Sequence, residues 1–149
     1  MVRPHVRYYT YTDEDMQVIQ GSIYELKNIG IDHIVFGALT AENRLDHQFI
    51  EQVCALATDM KITIHKAIDL STDIIKDIAP LKKMRNIHSI LSSGGATTAL
   101  LGLSTLQKMK ETCGDKIELI PAGKITADNV DDLDQFLRCR TYHGKLIIG

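Results

Sequence analysis

Apolar residues in this chain follow two spacings that alternate from one end to the other. Short, nearly continuous runs, at His33 to Leu39, Ile62 to Ile68, Ile87 to Ser93 and Ile117 to Ile120, have the length of strands covered on both faces. Between them, apolar residues recur every three or four positions, as on one face of a helix. Thr12 followed by Asp13, Glu14 and Asp15 predicts a helix start, with Met16, Ile19, Ile23 and Leu26 on one stripe and Asn28 to Gly30 as its close. Asp46 caps a second stripe of Phe49, Ile50, Val53, Leu56 and Ala57. A third helix is expected over Thr72 to Met84, broken or kinked at Pro80. A fourth starts at Thr97 or Ser104 and ends near Cys113 and Gly114, and a fifth runs from Ala127 to about Phe136. Val2 to His5, stopped by Pro4, and Thr141 to His143 read as a first and a last strand, with a short apolar tail from Lys145 to Gly149.

Six strand starts therefore fall near residues 2, 33, 62, 87, 117 and 141, with one helix between each pair. A repeat of about 24 to 31 residues is that of stacked βα units, whose right-handed crossovers set successive strands side by side in parallel. The fold class is α/β. The rhythm is that of a TIM-type β/α barrel, and a full one needs eight units and about 250 residues. The expectation is one partial barrel domain over residues 1–149, with six of the eight units.

Composition narrows the function classes. The chain has 149 residues, 44% of them hydrophobic and 24% charged, enough for one sizeable core. Seventeen basic residues against 19 acidic ones give a net charge of −2, which makes no electrostatic case for nucleic acid. No apolar run is long enough to span a bilayer, and residues 1–5 lack the apolar stretch of a secretion signal, so the expected location is cytoplasmic. Cys54, Cys113 and Cys139 are odd in number and widely spaced, as reduced thiols are, and unlike a disulfide framework or a structural zinc site.

In a β/α barrel the ligand-contacting residues sit at the C-terminal ends of strands. That rule collects Arg3 and His5, Phe36 to Leu39, His65 and Asp69, Ser92 to Gly95, Gly123 and Lys124, and His143. Alternation along a strand over Ile62 to Asp69 sends Thr63, His65, Ala67 and Asp69 to one face, so an imidazole and a carboxylate share it; a structural histidine next to a helix-capping aspartate fits the same residues. The turn Ser92, Ser93, Gly94, Gly95 and the pair Gly123, Lys124 have the make-up of places where backbone N–H groups hold an anion, although glycine at a βα turn also serves backbone geometry alone. His33, His47 and His88 read as surface residues away from the mouth, and Tyr8, Tyr9 and Tyr11 as an exposed polar-aromatic loop.

With the strand ends assembled, the sequence resembles the CutC copper-homeostasis family. The resemblance is carried by Met1 to Pro4, Ile34 to Leu39, Ile64 to Asp69, Ile90 to Gly94, Ile120 to Gly123 with Ile125 and Thr126, and Tyr142 to Gly144, in the family's order and over nearly the whole chain. It implies a TIM-type barrel, a cytoplasmic homo-oligomer, and a role in copper tolerance with Cu(I) as the bound ion. Aligned by motif, the chain begins at what looks like the family's third strand, so the cysteine-bearing strands proposed to bind copper fall outside it. His5 and Lys66 stand where the family has arginines, and Pro121 to Lys124 replaces a glycine-richer turn. Two functions follow. One is CutC-like copper homeostasis, with Arg3, His5, His65, Asp69 and His143 lining the mouth. The other is a small-molecule barrel enzyme for a phosphorylated or carboxylated metabolite, with His65 and Asp69 as acid–base pair and Ser93, Gly94, Gly123 and Lys124 holding the anion.

Overall fold

The computed structural model describes residues 1–6, 8–145 and 147; Arg7 in the aromatic loop and Leu146, Ile148 and Gly149 of the expected apolar tail lie outside the described residues. Four strands, β1 (His33–Phe36), β2 (Lys61–Ile64), β3 (Ile87–Ser92) and β4 (Glu118–Pro121), form one sheet in the order β1-β2-β3-β4, every pair parallel. Helices α1 (Asp13–Asn28), α2 (His47–Leu56), α3 (Ile74–Leu81), α4 (Leu103–Cys113) and α5 (Val130–Leu137) alternate with them. Strand neighbours follow chain order because each crossover helix packs back on the sheet before the next strand begins. Ile34, Phe36, Ile62, Ile64 and Ile90 are all buried, as expected of a parallel sheet covered on its faces.

Helix boundaries follow their capping chemistry. Thr12 and Asp15 bond each other's backbone N–H groups in a capping box at the start of α1, and Gly30 just beyond its end takes a left-handed φ of 81°. Asp46 and Asp73 accept from Phe49 N and Lys76 N at the starts of α2 and α3. Pro80 sits inside the last turn of α3, where its missing N–H costs one bond, and the chain leaves the helix directly afterwards.

Two of the six expected strands are reduced to single pairings. Val2 donates to Val35 O at 2.9 Å beside β1, and His143 donates to Pro121 O at 2.9 Å in an isolated parallel bridge with Ala122. Pro4 has no N–H to continue the first ladder. At the other side, only His143 of the predicted Thr141 to His143 strand reaches β4.

A bonded tie that the hydrophobic pattern does not mark fixes the loop after β1. Asp77 of α3 is fully buried; its carboxylate accepts from Arg44 Nε at 3.0 Å and from Arg44 Nη2, from Leu45 N at 2.9 Å and from Ser71 Oγ at 2.6 Å. Burial alone would raise its pKa, but these donors outweigh it and hold the carboxyl below the usual range. His47, expected at the surface, places Nε2 2.8 Å from Asp77 O and so joins α2 to the same point.

Candidate functional site

Strand β2 stops at Ile64, and a 3-10 helix over Lys66–Leu70 follows, closed by Ile68 N donating to His65 O. The alternation that would put His65 and Asp69 on one face therefore ends before either residue. His65 becomes the cap of the short helix, its Nδ1 accepting from Ala67 N at 3.1 Å. Asp69 swings toward the end of β3. No hydrogen bond joins the two side chains among the described residues, so they are not an imidazole–carboxylate pair.

Asp69 is held on all sides. Its oxygens accept from Lys66 Nζ at 2.6 Å, Ser92 Oγ at 2.5 Å, Ser93 N at 3.0 Å and Gly95 N at 3.0 Å, and lie 2.9 Å from Ser93 Oγ. Lys66 Nζ also reaches Ser93 Oγ, which sits 2.6 Å from Ala96 O. Burial pushes the Asp69 pKa up, and the Lys66, Ser92, Ser93 and Gly95 donors together bring it below the usual carboxylate range. The turn after β3 is thus the anion-holding nest its sequence suggests, and the anion in it is the chain's own Asp69.

Gly94 has a further reason to be glycine. Its φ is 71°, its N–H is taken by Ser92 Oγ at 2.9 Å, and a Cβ on it would lie 2.4 Å from Gly102 O. A Cβ on Gly102 would in turn lie 1.8 Å from Ser93 O. The two backbones cross here in contact, just before α4.

Of the remaining expected ligand residues, Gly123 meets this turn, and His143 pairs beside β4. Gly123, with φ 108°, faces Ser93 and Ala99, and its carbonyl accepts from Ala99 N at 2.9 Å. Lys124 takes a left-handed φ of 55° and is exposed, and His143 is exposed beside β4. None of the three bonds to the Asp69 nest among the described contacts.

A second polar group has the opposite character. Among the described residues, five buried side-chain polar atoms lack a hydrogen-bond partner: Arg3 Nε, His5 Nδ1 and Nε2, Tyr11 Oη and His65 Nε2. Aromatic contacts join them in two sets, Arg3 with His65 through Tyr9, and His5 with Tyr11. Arg3 Cζ lies 4.3 Å over the Tyr9 ring, Tyr9 stands 4.9 Å from the His65 ring, and His5 stands 5.3 Å from the Tyr11 ring. Leu39 N donates to Tyr9 O at 2.8 Å, folding the aromatic loop over the end of β1. Tyr9 and Tyr11 are thus half-buried against the core, and of the three tyrosines only Tyr8 keeps the exposure the sequence suggests.

The His65 tautomer follows from its capping bond. Nδ1 accepts a hydrogen bond from Ala67 N, so the ring proton belongs on Nε2, the atom without a partner. Burial lowers the pKa to about 4, with the Arg3 charge adding to it and a bond to the residue's own backbone opposing it, which leaves a neutral ring at pH 7. Gly37 fixes the ring's edge, since a Cβ there would meet His65 Cε1 and Nδ1 at 2.8 Å. Each unpartnered buried donor costs about 1–3 kcal/mol.

Copper does not find a ready set of ligands. Among the described residues no three His, Cys, Asp or Glu side chains come together as a metal site. Cys54 and Cys113 are buried on α2 and α4, and burial pushes both thiols up to about 11, away from the thiolate that Cu(I) favours. His65 presents a proton at Nε2 where a metal needs a lone pair. Among the described residues no helix is long and apolar enough to cross a membrane.

Comparison with known proteins gives a consistent picture. A model described as the CutC family matches residues 1–148. The chain is 32% identical over 133 residues to a family protein CutC of Glaesserella parasuis, covering 89% of this chain and 54% of that protein. It is 29% identical over 130 residues to the copper homeostasis protein cutC homolog of Homo sapiens, covering 87% and 47%. CutC from Streptococcus agalactiae, a solved structure, shares the fold at TM-score 0.91 and 24% identity, over 99% of this chain and 71% of that one. The chain spans about half the length of the curated relatives it matches.

Proposed function

The chain belongs to the CutC family, and from that premise we propose that it acts in copper homeostasis through a β/α-barrel mouth that binds a small anionic ligand, and not through a copper site of its own. The parallel β1-β2-β3-β4 order, flanked by the Val2 and His143 pairings, supports reading the chain as six units of a TIM-type barrel in a single domain, housed in the cytoplasm and assembled as a homo-oligomer. Its mouth comprises Arg3, His5, His65, Asp69, Ser93, Gly94, Gly123, Lys124 and His143. Within it Asp69 sets the shape, by tying the end of β2 to the turn after β3, while the groups left with bonding capacity are cationic or proton-donating.

The observation that carries this reading is the imbalance at that end of the sheet. The Asp69 carboxylate is saturated with donors, whereas among the described residues Arg3 and His65 keep donors with nothing to receive them. An incoming anion fits that surplus and a free copper ion does not.

The test is a pair of titrations on the whole chain under reducing conditions. Small oxyanions, including carboxylates, inorganic phosphate and sugar phosphates, are expected to raise the melting temperature. Cu(I) is expected to bind no better to the wild type than to a His65→Ala, His143→Ala double variant. Tight Cu(I) binding that the double variant loses would overturn the proposal in favour of copper held directly at the mouth.

A further inference from the structure

Resting on the anion-binding mouth just proposed, we infer that Arg3, Tyr11 and His65 form a cradle for a carboxylate, separate from the Asp69 nest and from Lys124. Three features of the described residues lead there. First, Arg3 Nε, Tyr11 Oη and His65 Nε2 are all buried without a fully formed hydrogen bond among the described residues, Tyr11 lies close enough to Arg3 to feel its charge, and His65 as a residue is 5% exposed. Second, each presents a proton. Arg3 Nε–H and His65 Nε2–H have no acceptor role open to them, and the phenol is kept protonated by burial, which outweighs the pull of Arg3. Third, the donors are held. Arg3 Nη2 is tied to Val6 O at 3.0 Å with its plane over Tyr9, and the His65 ring is gripped between its Ala67 bond, Gly37 and Tyr9.

One positive charge and two neutral donors, walled by Tyr9 and Phe36, match a planar monoanion with two oxygens better than a multiply charged phosphate. A dication is repelled by the same set. His5 flanks the cradle, its Nε2 3.6 Å from Asp15 Oδ2, so its attraction is directed partly to α1.

Isothermal titration of the whole chain with acetate, benzoate and inorganic phosphate at matched ionic strength tests this. Saturable binding of a carboxylate is expected, weakened at least tenfold in Arg3→Gln and about fivefold in Tyr11→Phe, and unchanged in Lys116→Ala, at an exposed lysine outside the mouth. Tyr11→Phe removes one oxygen without disturbing the packing, so it reports even if Arg3→Gln or His65→Phe fails to fold. Nitrogen NMR of the His65 ring is expected to show Nε2–H shifting on carboxylate addition with no change of tautomer. Phosphate binding that Lys124→Ala abolishes, with no carboxylate binding, would overturn the cradle and leave the anion-binding mouth standing. No binding of any of the three anions would overturn both.

Discussion

Asp69 and His65 leave the same strand and end in opposite situations. Asp69 receives its ligands from the chain: an ammonium, hydroxyls and two backbone N–H groups from the turn after β3. His65 is also buried, yet the chain satisfies only one of its ring nitrogens, and the Arg3 and Tyr11 atoms nearby share its lack of partners. A saturated polar group locks two strand ends together. An unsaturated one leaves free energy to be recovered by whatever enters. Stability and binding at this mouth therefore rest on different residues.

The sharpest way to break that division is Asp69→Ala. It strands the Ser93 and Gly95 N–H groups and leaves Lys66, itself 41% exposed, without its counter-charge; a loss of about 3 kcal/mol is expected in urea unfolding. A loss under about 1 kcal/mol would show that the turn does not depend on its internal anion.

Acid should separate the two regions in sequence. His65 titrates near 4 in the folded chain and near 6.5 when unfolded, so the unfolded state binds more protons between those values. The corresponding stability is complete above pH 6.5 and is lost as pH falls toward 4, by up to about 3 kcal/mol. Asp69, with its pKa depressed, holds its contribution until pH drops below the ordinary carboxylate value of 3.8. Urea midpoints across this range should slope for the wild type and flatten for His65→Phe. Equal slopes would mean that the ring is not held neutral by its surroundings.

Gly37→Ala pushes on the ring itself, with Cβ 2.8 Å from Cε1 and Nδ1. A cost of about 1–3 kcal/mol and a displaced His65 ring signal in NMR are expected, while the Asp69 nest keeps its hydrogen-exchange protection. The smallest effect belongs to Tyr11→Phe. Removing an unpartnered hydroxyl should leave stability unchanged or raise it by up to about 1 kcal/mol in the absence of ligand. A clear loss in the same denaturant series would reveal a partner for that hydroxyl in solution.

Much of the architecture was readable from apolar spacing. The βα alternation, the Thr12 and Asp46 caps and the four central strands follow from local chemistry that the sequence displays. The site was readable by position but not by connection. Alternation gives no sign that the ladder ends at Ile64, because Ile68 would suit a strand or the buried side of a 3-10 turn equally well. Asp69 meets Ser93 across 24 residues, and Arg44 meets Asp77 across 33; neither spacing leaves a periodic mark. The tyrosine loop looked polar because its burial depends on the end of β1 folding beneath it. Tyr11 looks unremarkable in the sequence, and only the lack of partners it shares with Arg3, His5 and His65 sets it apart.

The crossing of Gly94 and Gly102 bears on how sequences with this fold can change over time. Each position is closed by main-chain atoms, which have no rotamers with which to give way. No substitution at one can be rescued by trimming a side chain at the other, so ordinary compensatory drift has no path through the pair. The two glycines, eight residues apart, should outlast most of the binding residues around them. That spacing offers a marker for lineages that have kept the backbone and exchanged the chemistry at its mouth.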